Sequence, residues 1–113
     1  MYQWRDEATP AGFDQALADT YIGQYVLVGV TFVDRQGREI ERLQMHGVIE
    51  AADTRGIRIA LHGTRRGETG VMPPDLDALA PADPGKYTLH GTGEVIEDPD
   101  LLSAWTVTKP VEH

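Results

Sequence analysis

Three histidines are the residues of this 113-residue chain best suited to chemistry. His46, His62 and His90 could act as metal ligands, since neutral imidazole is the commonest protein ligand for transition metals. Glu68 and Asp75 could complete such a site with carboxylate oxygens. None of the five shows the short paired spacing of a recognised zinc motif. These residues define one hypothesis, a small-ligand or metal site. The competing and commoner interpretation is that the histidines lie on a solvated face.

Nucleophilic chemistry has few candidates in this chain. There is no cysteine, and Ser103 is the single serine. The residues around Ser103 lack the flanking glycines of a nucleophile elbow. Asp75 and Asp77 form a close carboxylate pair, but acid–base catalysis needs a cleft that raises one pKa. No catalytic constellation emerges, and the sequence favours a non-enzymatic role without a cofactor.

An acidic segment near the C-terminus is a candidate calcium site. Its carboxylates are those of Glu94, Glu97, Asp98 and Asp100. The segment lacks the glycine and the terminal glutamate of an EF-hand loop. We therefore expect a solvated acidic loop.

Net charge disfavours nucleic acid as a partner. Ten basic against 18 acidic residues give a charge of −8, which repels a phosphate backbone. A local basic patch stays possible at the arginines 55, 58, 65 and 66, either as an anion-binding spot or as a solubilising rim.

Length and composition indicate one domain. Hydrophobic residues make up 41% of the chain and charged residues 25%, which are ordinary globular values. No apolar run approaches the roughly 18 residues of a membrane span, and the N-terminus has no signal-peptide pattern. We expect a cytoplasmic protein without a membrane partner.

The chain opens with an arm and a short helix. Residues 1–10 form a polar arm with two aromatic residues, Tyr2 and Trp4, which either fold back or engage a partner. Apolar residues at helical spacing predict a helix over 11–22, capped by Thr9. The predicted domain covers 11–113.

Three antiparallel strands in succession are predicted after the helix. β-branched and aromatic residues indicate strands over 25–33, 38–52 and 57–61. Asp-x-x-Gly sequences at 34–37 and 53–56 are typical of tight turns. The alternation of the second and third strands places His46 and His62 on one outer face and Glu50 near Arg58.

The first strand is apolar on both faces. Its even-numbered side is formed by Val26, Val28, Val30 and Phe32, and Tyr25 and Leu27 lie on the other side. A strand of this kind must be covered on both faces. We expect the core of the domain to cover one face and either the helix or a partner to cover the other. A homodimer is the simplest partner.

Five or six short strands, a bend at Gly47 in the second strand, and a short turn at 73–79 resemble a small SH3-like or Sm-like β-barrel. The resemblance covers about residues 24–108, and an OB-like barrel is its rival. It implies a mainly β, five- to six-stranded antiparallel barrel with one N-terminal helix. Such barrels bind peptides, RNA or one another, so the fold alone assigns no activity.

Two functional hypotheses follow. The first is an interaction module that acts through protein–protein contacts and self-association, with an interface at Tyr2, Trp4, Val26, Val28, Val30 and Phe32. The second is a small-ligand- or metal-binding barrel that uses the histidines and nearby carboxylates. RNA binding by the Sm-like route needs a basic surface, which the net charge disfavours.

Overall fold

A computed structural model describes residues 13–109 and the backbone of residues 2–3. The described chain is mainly β, with one short helix, α1 (Gln15–Tyr21). The strands are β1 (Tyr2–Gln3), β2 (Tyr25–Val33), β3 (Glu39–Asp53), β4 (Gly56–Leu61), β5 (Thr69–Met72), β6 (Leu79–Pro81), β7 (Lys86–Thr88), β8 (Val95–Glu97) and β9 (Leu101–Thr108). Single 3-10 turns lie at Gly63–Arg65 and Leu76–Ala78.

The sheet is mixed rather than antiparallel. Its strand order is β1-β5-β4-β3-β2-β9-β6, with β7 and β8 paired separately. The predicted meander is confirmed in the antiparallel pairs β2/β3 and β3/β4. The expectation of an all-antiparallel sheet is wrong, because β9 lies parallel to β2 and β1 lies parallel to β5. Among the described residues β1 and β6 remain the two ends of the sheet, so an SH3-like barrel is not confirmed.

One face of β2 lies in the main core. Val26, Val28 and Val30 are fully buried, and Phe32 is half-buried against the same cluster. Ala18 of α1 belongs to this cluster, as do the buried apolar side chains of β3 and β4. The three valines are therefore core residues and not an interface, which corrects the sequence-based prediction. Burial of each valine contributes about 1.5 kcal/mol or more.

The opposite face of β2 is covered by the β7–β8 hairpin. Leu27 packs with Leu89 and Ile96 in a second buried cluster, joined by Tyr25 and Tyr87. The prediction that both faces of β2 are covered is thus confirmed. The cover on each side comes from this chain itself.

The helix begins later than the sequence predicts. Asp14 is the N-cap, and its Oδ1 accepts a hydrogen bond from the backbone N–H of Leu17 at 3.0 Å. The predicted cap, Thr9, lies outside the described residues. Ala18 is fully buried in the main core, whereas its neighbour Leu17 is 42% exposed.

A β-bulge sets the register between β3 and β4. Ile49 lies opposite Ile59, but Ala51 rather than Glu50 lies opposite Arg58, so the predicted cross-strand pair of Glu50 and Arg58 is wrong. Because Glu50 has no partner in the ladder, the side chains of β3 after Glu50 alternate between the two faces of the sheet in the opposite phase. Before the bulge the alternation is undisturbed, and β3 leaves His46 on the face that the hairpin covers.

Candidate functional site

His46 is the buried centre of a polar network. Its exposure is 5%, and both ring nitrogens are hydrogen bonded. Nδ1 lies 2.5 Å from the Tyr25 hydroxyl, and Nε2 lies 2.9 Å from Glu94 Oε2. The other carboxylate oxygen, Glu94 Oε1, accepts a hydrogen bond from the Thr64 hydroxyl at 3.2 Å. The side chains of Tyr25, His46 and Glu94 form a continuous Tyr25–His46–Glu94 array. Its hydrogen bonds offset the cost of burying the polar imidazole of His46.

The sheet register brings Tyr25 and His46 together. Leu27 of β2 lies directly opposite His46 of β3, so Tyr25, two residues earlier, occupies the same face and a diagonal position. Asp100 holds the start of β2 from the other side. Its Oδ2 accepts from the Tyr25 N–H at 2.8 Å, and its own N–H donates to the Tyr25 carbonyl at 2.9 Å.

Glu94 reaches the array from the connection between β7 and β8. Two bonds fix this connection: the His90 N–H donates to the Gln44 Oε1 on β3 at 2.8 Å, and the Leu89 N–H donates to the Glu94 carbonyl at 2.8 Å. The acidic segment is therefore anchored to β3 at its Glu94 end. The sequence-based expectation of a solvated loop is wrong for Glu94, whose side chain is 20% exposed.

Gly63 provides the space in which His46 and Glu94 meet. Its φ is +68°, and a Cβ at this position would overlap Glu94 Oε2 and lie 2.7 Å from His46 Nε2. The residue before Gly63 is held beside His46 as well, because the His62 N–H donates a hydrogen bond to the His46 carbonyl at 2.9 Å. Glycine is thus required here both for its left-handed backbone and for its missing side chain.

The ionisation of Glu94 sets the direction of hydrogen bonding in the array when His46 is neutral. The hydrogen bond from His46 is the main cause that lowers the pKa of Glu94, with a further contribution from Thr64. An ionised Glu94 only accepts hydrogen bonds, so His46 must carry its proton on Nε2. With His46 neutral, Nδ1 is an acceptor and the Tyr25 hydroxyl donates to it. Burial, and secondarily the charge of Glu94, raises the pKa of Tyr25, so this hydroxyl keeps its proton.

An open cleft of about 480 Å³ lies over the array. Tyr25, His46 and Glu94 all line it. Its remaining lining residues are His62, Gly63, Arg66, Val95, Ile96 and Glu97. The cleft thus combines hydrogen-bonding groups, one arginine and an apolar wall.

The structure brings two of the three predicted histidines together. His62 is exposed, and its ring contacts the ring of Tyr25 edge-on, with centroids 5.4 Å apart. His90 and Glu68 are exposed and do not line the cleft. Asp75 caps the second 3-10 turn, where its Oδ1 accepts from the Asp77 N–H.

Metal binding receives no support from the described part of the chain. Within residues 2–3 and 13–109, no group of three or more His, Asp or Glu side chains lies where it could hold a metal ion. Of the predicted aromatic interface residues, Trp4 lies outside the described residues, and only the backbone of Tyr2 is described.

Sequence reasoning misses Tyr25 as a functional candidate and considers Glu94 only as a calcium ligand. The sequence pattern places Tyr25 on an apolar strand face and Glu94 in an acidic loop. The signal for Tyr25 is its position on the same face as His46. The contact with Glu94 joins residues 48 positions apart and has no local signature.

The predicted basic patch is divided between two sites. Arg66 lines the cleft. Arg55 and Arg58 line a smaller cavity of about 190 Å³ beside the β3–β4 turn. The two cavities share no lining residue.

Comparisons with known proteins assign no family to this chain. No protein-family model matches the sequence, and neither curated proteins nor solved structures show a significant match. None of the described helices is long and apolar enough to cross a membrane. Functional inference therefore rests on the geometry of the site.

Proposed function

We propose that this protein is a small-molecule-binding domain whose ligand occupies the cleft over the Tyr25–His46–Glu94 array. The observation that carries the proposal is the buried His46, bonded through both ring nitrogens at the floor of an open cleft. An apolar side chain could fill this position without any polar partner. Here three polar side chains and a glycine are arranged around one another.

The dimensions of the cleft support a small ligand. A volume of about 480 Å³ falls in the range of roughly 300–1,000 Å³ that is usual for such sites. The array is supported by its neighbours in the sheet and the hairpin, so its donors and acceptors are oriented before a ligand arrives. Preorganisation of this kind lowers the entropic cost of binding.

A fragment screen read by ¹H–¹⁵N NMR tests this function. We expect ligands that shift the amides of residues 62–66 and 94–97 together. Tyr25→Phe removes one hydroxyl from the cleft and should weaken these ligands by about five- to tenfold, the value of one hydrogen bond. Tyr87→Phe is the matched control, because Tyr87 packs in the same cluster but bonds to the Asp83 carbonyl and does not line the cleft.

Two results would contradict the proposal. One is a screen of neutral, anionic and cationic fragments in which no compound shifts the cleft amides. The other is a set of ligands that bind Tyr25→Phe and the wild-type protein equally while mapping to another surface.

Self-association remains a separate proposal. The valine face that motivated it is buried within the chain, so a dimer would have to use another surface. Native mass spectrometry distinguishes a dimer from a monomer that retains a small molecule.

A further inference from the structure

We infer that the ligand of the cleft is a small organic anion that also carries a hydrogen-bond donor. This inference rests on the proposed ligand-binding function and adds the chemical class. The anionic oxygens would contact Arg66, the donor would contact the Tyr25 hydroxyl oxygen, and an apolar portion would lie against Val95.

The charges that line the cleft are unequally engaged. Glu94 is bonded to His46 and Thr64, and Glu97 forms an ion pair with Lys86 at 3.5 Å. No described residue forms an ion pair with Arg66, although its side chain lines the same cleft. Arg66 is therefore the cleft cation to which a ligand can supply an ion-pair partner, whereas both carboxylate oxygens of Glu94 are already occupied by hydrogen bonds.

Arginine is suited to this contact. Its planar guanidinium presents paired N–H donors that match the two oxygens of a carboxylate or the oxygens of a phosphate. The backbone at Arg66 is fixed, since its N–H donates to the Gly63 carbonyl at 3.2 Å. The net charge of −8 repels anions in general, so selective binding depends on this local cation.

The array determines what Tyr25 offers to a ligand. Its only hydroxyl proton is donated to His46 Nδ1 when His46 is neutral. The hydroxyl oxygen then presents lone pairs to the cleft, and a ligand must supply a donor to use them. A hydroxyl or amino group beside the anionic group would satisfy this requirement.

The wall of the cleft favours an organic ligand. Val95 lines the cleft and is 52% exposed, the highest value among the large apolar residues that the structure leaves exposed. The neighbouring Ile96 is buried and anchors the strand. Contact with a short carbon skeleton would remove the Val95 side chain from water.

Four simple compounds test the class, each titrated at constant ionic strength and followed by ¹H–¹⁵N NMR. 2-Hydroxypropanoate carries both groups, propanoate lacks the donor, 2-hydroxypropanamide lacks the charge, and inorganic phosphate lacks the carbon skeleton. We expect 2-hydroxypropanoate to shift the amides of residues 62–66 and 94–97. Propanoate should bind several-fold more weakly, and the amide about tenfold or more weakly, since charge-assisted bonds are the stronger ones.

Arg66→Gln should lower the affinity for 2-hydroxypropanoate by about tenfold or more. Arg35→Gln is the matched control, because Arg35 is an exposed arginine in the β2–β3 turn, away from the cleft. If inorganic phosphate binds as tightly as 2-hydroxypropanoate and also depends on Arg66, the cleft binds anions but the organic class is wrong.

The failures of the two proposals are distinguishable. The anionic class is wrong, and the ligand-binding function stands, if the neutral amide binds as tightly as the carboxylate. The same conclusion follows if Arg66→Gln leaves the affinity for 2-hydroxypropanoate unchanged. If only neutral fragments from the screen reach the cleft, the same conclusion follows. If neither these compounds nor any fragment shifts the cleft amides, the proposed function itself fails.

Discussion

The substitution Gly63→Ala provides the sharpest test of how the site is built. A Cβ at residue 63 would occupy the position of Glu94 Oε2, which must retreat to a separation of at least 3.4 Å. The carboxylate can swing into the open cleft, but the added Cβ would also lie 2.7 Å from Nε2 of the buried His46, so the His46–Glu94 bond is lost and the His46 ring must shift as well. Gly67→Ala is the matched control, with a φ of +90° and nothing within 4 Å of an added Cβ.

The two substitutions share one energetic term and differ in another. Forcing alanine into a left-handed backbone destabilises both variants by about 1–2 kcal/mol. Only Gly63→Ala also breaks a hydrogen bond to a charged group, which is worth about 1.5–3 kcal/mol. We therefore expect Gly63→Ala to lose at least about 2.5 kcal/mol of unfolding free energy, and the difference between the variants to be at least about 1.5 kcal/mol.

Urea unfolding followed by tryptophan fluorescence measures this difference, and long-range ¹H–¹⁵N spectra of the His46 ring report the bond itself. We expect the wild-type ring to be protonated at Nε2, and the pattern to change in Gly63→Ala only. Equal destabilisation of both variants, with unchanged His46 nitrogen shifts, would refute the role of Gly63 as the gap through which Glu94 reaches His46.

Three further predictions follow from the described contacts. Gly47→Ala should destabilise the fold severely, because a Cβ would overlap the backbone carbonyl oxygen of Ala60, whereas Gly29→Ala, with open space around it, should be nearly neutral in the same urea assay. Spectrophotometric titration of the phenols should show one tyrosine that ionises above the ordinary pKa of 10.0, and Tyr25→Phe should remove it. Protonated Tyr25 then stabilises the fold below pH 10, and this contribution is lost as the pH rises through the folded-state pKa; a lower-titrating phenol missing from Tyr25→Phe would contradict this. The lowered pKa of Glu94 has the opposite sign, since its stabilisation is present above the ordinary value of 4.5 and is lost as the pH falls through the folded-state value. Glu94→Gln should accordingly flatten the acid dependence of unfolding, and an unchanged slope would count against the array.

Local patterns in the sequence predict the central strands well. The β2–β3–β4 meander follows from β-branched runs separated by two Asp-x-x-Gly turns. In the first turn, Asp34 Oδ1 accepts from the Gln36 and Arg38 N–H groups, and Gly37 has a φ of +82°. These interactions span at most four residues, which is why sequence alone reveals them.

Long-range contacts explain where prediction failed. The bulge at Glu50 and the parallel placement of β9 beside β2 depend on how the whole chain returns to the sheet. The two-faced β2 predicted that something must cover its outer face, but either a partner or the chain itself could satisfy that requirement. In the structure the chain itself covers this face, because the β7–β8 hairpin packs Ile96 against Leu27.

The site also depends partly on local sequence patterns and partly on long-range contacts. The sequence by itself determined that the protein is acidic, mainly β and without cysteine, and that His46 and His62 lie on one face of neighbouring strands. Only the tertiary structure decided that this face is a cleft floor rather than a solvated surface. The physical reason is that a histidine acquires a role from its partners: Glu94 arrives from 48 residues away, through a gap that a glycine leaves open.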